Sequence, residues 1–389
     1  MNELHIDKTH WKKYRFDEVC RQVNEATKDP VAEGLDHVVG LEHIEPNNLH
    51  ITHWDTLEKE TTFTRKFMKG QVLFGRRRAY QRKVAYAEFD GICSGDILVF
   101  EAIEKVMLPE LLPFLIQSEG FFQKALATSA GSLSPRTKFK ELADYEFLLP
   151  PKAEQKRLAE LLWAADKVVE KEKREKSKLD LYRQSKLKDI FKSTNSFIRL
   201  KDLPIEEING LWKTEDADSM DVSVIRSTEF SDYGTICFDK LVPMPVKISQ
   251  YRTRKLIPSD IIVERSGGGP DQPVGRVCYF EKDDGEYSFS NFTSCIRVPK
   301  NDVILPKYLF YFLEFYWEIG GTDRIQNQTT GIRNLDYELY KMIKVPVLKI
   351  EKQTEVIKEI DKVQQTIFSM KLQIEQSQQI KQELINKMF

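Results

Sequence analysis

Gln353–Phe389 reads QTEVIKEIDKVQQTIFSMKLQIEQSQQIKQELINKMF, and Gln155–Phe191 reads QKRLAELLWAADKVVEKEKREKSKLDLYRQSKLKDIF. The two stretches are equal in length and stand 353 − 155 = 198 residues apart. Stepping by four and three from Val356 reaches Ile360, Val363, Ile367, Met370, Ile374, Ser377, Lys381, Leu384 and Met388, which is a heptad stripe. The same offset carries that stripe onto Leu158, Leu162, Ala165, Val169, Glu172, Lys176, Leu179, Arg183, Lys186 and Ile190. Two helices in one register predict a shared seam. At 1.5 Å per residue each would run roughly 55 Å, which suits a spacer better than an ordinary domain helix. Glu170–Lys176 is polar on every face and reads as a solvated stretch laced with charge pairs, its lysine stems free to lie over a partner helix.

The repetition extends upstream of the helices. Tyr14-Arg15-Phe16-Asp17-Glu18-Val19 is matched by Ile198-Arg199-Leu200-Lys201-Asp202-Leu203, so the chain is block, helix, block, helix. Leu148-Leu149-Pro150-Pro151 and Lys344-Val345-Pro346-Val347 each read as a last strand halted by proline before a helix starts. The expected boundaries are therefore 1–154, 155–192, 193–352 and 353–389. Runs such as Asp260-Ile261-Ile262-Val263 and the aromatic stretch Tyr308–Trp317 make each block α/β or α+β, at a normal domain size. The fold class expected is a tandem α/β (α+β) repeat. A pseudo-two-fold axis relating the two halves would make the two helices antiparallel.

Composition narrows the setting. Basic and acidic residues number 59 and 60, so global charge is silent about nucleic acid and only local charge speaks. Five cysteines with no C-x-x-C spacing point to reduced thiols and away from zinc. The absence of a cationic-apolar leader and of a long apolar run leads us to expect a cytoplasmic chain. All six histidines lie in the first block, and His50-x-x-His53, without cysteine or paired carboxylates at ligand spacing, reads as surface loop rather than metal site.

Between Thr62 and Lys83 the chain carries Arg65, Lys66, Lys69, Arg76, Arg77, Arg78, Arg82 and Lys83 without an acidic residue, interrupted by Tyr80 and Gln81. Such a strip fits a phosphate track with side chains able to reach base edges. Arg77 and Arg78 suit guanine, whose O6 and N7 a guanidinium can bond together, and Gln81 suits adenine. The matching place in the second block is Glu264-Arg265-Ser266-Gly267-Gly268-Gly269-Pro270-Asp271-Gln272-Pro273-Val274-Gly275-Arg276, where glycines allow close backbone approach and Arg265, Gln272 and Arg276 supply reading groups. Gly131–Lys138, with Arg136, and Gln328–Asn334, with Arg333, recur before the final strand of each block as further DNA-facing loops. No Gly-x-Ser-x-Gly elbow, His-Glu-x-x-His or phosphate-loop spacing occurs, and Pro270-Asp271 with Glu281-Lys282-Asp283 misplaces the lysine of a nuclease pattern. The chain reads as a binder without a reagent.

This arrangement resembles the specificity (S) subunits of type I restriction-modification systems. The resemblance rests on Leu73–Lys83, Asp90–Asp96, Ser266–Val277 and the Leu149-Pro150-Pro151-Lys152-Ala153-Glu154-Gln155 lead into the first long helix; Val345–Gln353 departs by lacking one proline. It implies two target recognition domains, each reading half of a gapped DNA sequence, joined by two conserved helices that pair as an antiparallel coiled coil. It further implies methylation (M) subunits docked on those helices, holding S-adenosylmethionine and methylating adenine, and a motor-nuclease (R) subunit for cleavage. On that reading the chain is no enzyme and holds no cofactor or metal. Two other readings stand beside it: a coiled-coil adaptor with loose nucleic-acid binding, and a DNA-modifying enzyme in its own right.

Overall fold

The computed structural model describes residues 6–212, 218–268, 273–329 and 332–389, with the side chains of Gln328 and Thr329 left out. It divides into two compact units, Met1–Lys173 with Leu372–Phe389, and Arg174–Lys371. The long helices span Lys152–Lys192 and Ile350–Met388, each beginning three residues before the stretch that sequence periodicity marks. Each helix contributes one part to each unit.

In the first unit an antiparallel sheet has the order Cys20–Val23, Ile97–Ala102, Val72–Gly75, Val84–Tyr86. The second unit repeats the order with Glu206–Asn209, Thr293–Arg297, Ile261–Glu264 and Val277–Tyr279. Val72–Gly75 and Ile261–Glu264 are buried at every position, as expected of strands covered on both faces and rich in branched or aromatic residues. A second sheet in each unit contains one parallel pair, His37–Val39 with Gly91–Cys93 and Ser219–Ile225 with Tyr287–Phe289. A two-stranded ribbon closes each, Lys12–Arg15 with Glu146–Leu149 and Phe197–Arg199 with Lys344–Pro346.

The start of one long helix and the end of the other sit in each core. Leu158, Ala159, Leu162, Ile385 and Met388 belong to a cluster with Phe16, Phe74, Phe100 and Phe121. Leu187, Phe191, Val356 and Ile360 belong to one with Tyr308, Phe312 and Val345. Gln155 fastens its helix start by donating Nε2 to the Val106 and Pro150 carbonyls at 2.9 and 3.0 Å while Oε1 accepts the Leu108 amide at 2.9 Å. Gln353 does the same with the Val303 and Leu348 carbonyls and the Leu305 amide, each at 2.8 Å. A buried amide with all its strong partners supplied is a position-specific clamp, and it recurs at the 198-residue offset.

The seam differs in detail from the heptad reading. Leu158, Leu162, Val169, Val356, Ile360, Ile367 and Ile374 are buried. Leu179, Ile190, Val363, Met370 and Leu384 are only half-buried, and Leu187, Gln364 and Ile385 take enclosed places nearby. A helix of 3.6 residues per turn drifts off a strict 3.5 repeat, and here the helix ends also pack on their own domains rather than on each other alone. Within the first unit Asp166 bonds Lys381 at 2.9 Å and Glu172 accepts from Gln373 at 2.7 Å, so the two helical segments run antiparallel there. In the second unit Lys186 meets Glu359 at 2.8 Å.

Candidate nucleic-acid interface

The strand Val72–Gly75 runs out into the arginine loop, which is held by backbone bonds on three sides. The Arg76 amide donates to Asp96 O at 3.0 Å, Thr137 N donates to Arg76 O at 3.1 Å, and Arg78 N donates to Pro135 O at 2.8 Å. Asn47 N closes the far end on Arg82 O at 3.1 Å. Arg78 and Arg82 both take left-handed backbone, φ 52° in each, on either side of the single turn Ala79–Gln81. Non-glycine residues adopt that region at a cost, and a loop that imposes it twice is over-determined by its surroundings.

The side chains divide by role. Arg136 grips Asp96 in a fork, Nε to Oδ1 at 2.7 Å and Nη2 to Oδ2 at 3.1 Å, and Arg77 lies 3.6 Å from the same carboxylate while donating to Ser134 Oγ at 3.2 Å. Those bonds, the Arg136 fork first, hold the Asp96 carboxyl below its usual range. Arg65 donates to the Ile97 carbonyl. Arg82 is tied to Glu119 at 2.5 Å and lies over the Phe122 ring, and Lys83 donates to Leu41 O at 2.6 Å, so both are anchored within the unit. Arg78, Tyr80 and Gln81 make no side-chain hydrogen bond or ion pair among the described residues, and Tyr80 is 57% exposed. Leu133, 89% exposed between Ser132 and Ser134, and Asp96 are parts of this surface that sequence reading did not single out. The one available signal for Leu133 was an apolar residue at the tip of a Gly/Ser/Pro loop.

The second unit builds the same frame from other residues. Arg265 N donates to Phe292 O at 2.9 Å and Leu335 N to Arg265 O at 2.8 Å, so Arg265 occupies the place of Arg76. Its Nη1 donates to Asn209 Oδ1 at 2.8 Å, and its guanidinium lies 4.3 Å from the Tyr337 ring centroid. Arg276 is locked on Glu264 at 2.7 and 2.9 Å and on the Ser227 carbonyl at 3.0 Å. Glu264 is 1% exposed, so the pair is structural. Arg333 lies opposite Gly268 and Gln328 in a small sheet. Gln272 lies outside the described residues, as does the side chain of Gln328.

Glu42, His43 and Asp55 come close enough to suggest a cation site. However, His43 Nδ1 accepts the Gly40 amide at 2.9 Å, which puts the ring proton on Nε2, the nitrogen facing Asp55; Lys59 already holds that carboxylate at 2.9 Å. The trio is a hydrogen-bonded turn. His50, expected on a surface loop, instead bonds Asp166 at 2.7 Å and Glu88 at 3.3 Å. Among the described residues no helix is long and apolar enough to cross a membrane.

Comparison with known proteins agrees with this geometry. Residues 9–181 match the type I restriction modification DNA specificity domain. The type I restriction enzyme EcoDI specificity subunit of Escherichia coli is 24% identical over 229 residues, 56% of this chain, and the chain spans 46% of that relative's length. A solved structure of the type I restriction-modification S subunit from M. genitalium superposes with a TM-score of 0.57 at 14% identity, covering 99% of this chain and 98% of that one. Another, from a study of complex assembly and conformational transition of the type I R-M system, gives 0.57 at 17% identity over 97% of both chains.

Proposed function

We infer that the chain is a specificity subunit of a type I restriction-modification system and that each of its units reads one half of a two-part DNA target. The observation that carries this is the repeated loop frame. Arg76 and Arg265 sit in the same pair of backbone bonds at the end of equivalent strands, while the side chains around them differ. A fixed frame with exchangeable side chains is what direct readout of two unlike half-sites requires, since backbone contacts position and base-edge contacts specify. In the first unit Arg78, Tyr80 and Gln81 are the reading groups, backed by Leu133; in the second they are Arg265 and Arg333, with Gln272 and Gln328 from the same loops.

The long helices then serve as the dock for two methylation subunits, which would carry S-adenosylmethionine and perform adenine methylation, and restriction subunits would join that complex for cleavage. Leu161, Val168, Leu181, Leu372 and Ile380 are large apolar side chains left exposed on them and available to such partners. The chain itself would supply binding and orientation, not bond making, and would act in the cytoplasm.

The test is selection from a random duplex library by the chain co-purified with the methylation subunit encoded beside it. A gapped motif with two unlike halves is expected. Retention of all sequences alike, with salt dependence but no motif, would replace this reading with that of a loose nucleic-acid adaptor.

A further inference from the structure

We propose that Arg76, Arg77 and Arg136, gathered around Asp96 in the first unit, form a seat for a single DNA phosphodiester, and that the second unit carries its loop without one. Ionic grip on DNA is then concentrated in the first unit. This rests on the DNA reading above and adds a division of labour between the halves.

Three observations carry it. First, cations outnumber the carboxylate they share: Arg136 forks onto Asp96, Arg77 stands 3.6 Å from it, and the Arg76 cation is near enough to add to the lowering of the Asp96 carboxyl. Second, capacity is left over, because the Nε atoms of Arg76 and Arg77 are buried and have no hydrogen-bond partner among the described residues. Burial, then the nearby Arg65 cation, opposed by Asp96 and reinforced by Arg136, holds the Arg76 guanidinium below its usual value. Crowded, desolvated guanidinium groups are the condition that a bound phosphate relieves, and the forked geometry matches its oxygens. Third, the described residues of the second unit differ at the two positions that frame the seat. Glu264 stands at the strand position of Gly75 and neutralises Arg276, and Phe292 stands at that of Asp96.

The sequence agrees over windows of equal length: Thr62–Lys83 has eight cations and no acid, whereas Tyr251–Gln272 sets Arg252, Arg254, Lys255 and Arg265 against Asp260, Glu264 and Asp271.

Phosphate contacts are read by salt. Binding of the full chain to a random-sequence duplex pool would be followed by fluorescence anisotropy at several salt concentrations, so that sequence readout plays no part. Arg136→Gln combined with Asp96→Asn keeps the net charge and an amide pair, and Arg77→Gln changes a side chain that is 39% exposed. Each is expected to flatten the slope of log K against log salt by about 0.9, the amount for one phosphate contact, while Arg276→Gln combined with Glu264→Gln in the second unit, which likewise keeps the net charge, leaves the slope unchanged. Thermal unfolding of each variant confirms that it is folded. Unchanged slopes in folded first-unit variants would overturn the seat while leaving the DNA reading intact. Equal flattening by the Arg276→Gln, Glu264→Gln double variant would overturn the asymmetry. A wild-type chain with no salt-dependent binding to any duplex would overturn the DNA reading, and the seat with it.

Discussion

Arg183 and Lys381 stand 198 residues apart, each a buried cation on a long helix, yet the two units satisfy them differently. In the second unit Arg183, 1% exposed, is bonded to Glu314 and to Glu318, both on the helix Pro306–Glu318 of the same unit. In the first, Lys381 bonds Asp166 on the other long helix at 2.9 Å, and Asp166 in turn bonds His50. Gln364, the counterpart of Asp166, is neutral and donates to the Tyr233 carbonyl at 3.2 Å. One architectural position thus fastens the globular part of a unit to its helices through a guanidinium and two carboxylates in one half, and through a lysine, aspartate and histidine in the other. The arginine loop and its counterpart in the second unit show the same thing: backbone bonds are shared and side-chain chemistry is not. The frame is general, and its chemistry is local.

The largest effect should come from breaking the frame itself. Ile360→Asp or Ile367→Asp places a charge where exposure is 0%, and should cost about 4 kcal/mol or more in denaturant unfolding. An unchanged midpoint would remove the seam from the account. Arg183→Met comes next, at about 3–5 kcal/mol, since it leaves the buried Glu314 and the half-buried Glu318 without their cation; burial already holds Glu314 above its ordinary range even with Arg183 present. Lys381→Met should cost less, about 1–3 kcal/mol, because His50 continues to donate to Asp166. If the two methionine variants lose equal stability, the difference between the halves has no energetic content.

Arg78→Ala should relax one half of the target by about 1–3 kcal/mol, and Arg265→Ala the other half. Target-binding measurements on single-base variants of each half check this, and a uniform loss across both halves would make both arginines phosphate contacts.

The smallest effect is pH dependence at the junction in the first unit. His50 is raised above its ordinary value by its bond to Asp166, against burial and with help from Glu88 and Glu170. Its contribution is therefore complete below the unfolded-state histidine value, about 6.5, and is lost as pH rises through the higher folded value. Asp166, pushed up by burial but brought below the usual range by His50 and Lys381, contributes with the opposite sign and loses its contribution in acid. His50→Gln should remove the neutral-to-alkaline decline while leaving the acid limb. Persistence of the alkaline decline in that variant would assign it elsewhere.

Most of the architecture was legible in the residues because the repeat is written in spacing, and spacing survives divergence of side chains. The stepping that found Ile360 and Ile367 even landed on Arg183 and Lys381. It missed Gln364 and Ile385, because periodicity of apolar residues is blind to a buried amide and to the drift of a real helix. The loops could be located by charge, but not sorted. Arg82 and Arg276 look like readers in sequence and are tied to Glu119 and Glu264 in the fold. The pairing of Asp96 with Arg77 and Arg136 was not legible, because they meet only after strand pairing brings Gly75 beside Ile97. Burial and pairing of charges are decided by tertiary neighbours, which no local pattern contains.

The most direct test is single-molecule methylation sequencing of DNA from cells carrying this gene with its neighbours, compared with cells in which Arg78→Ala or Arg265→Ala replaces the wild-type chain. A gapped, two-part motif methylated at adenine is expected with the wild type, each substitution loosening a different half. Absence of any gene-dependent motif, or loss of the same half in both variants, would contradict the assignment of one half-site to each unit.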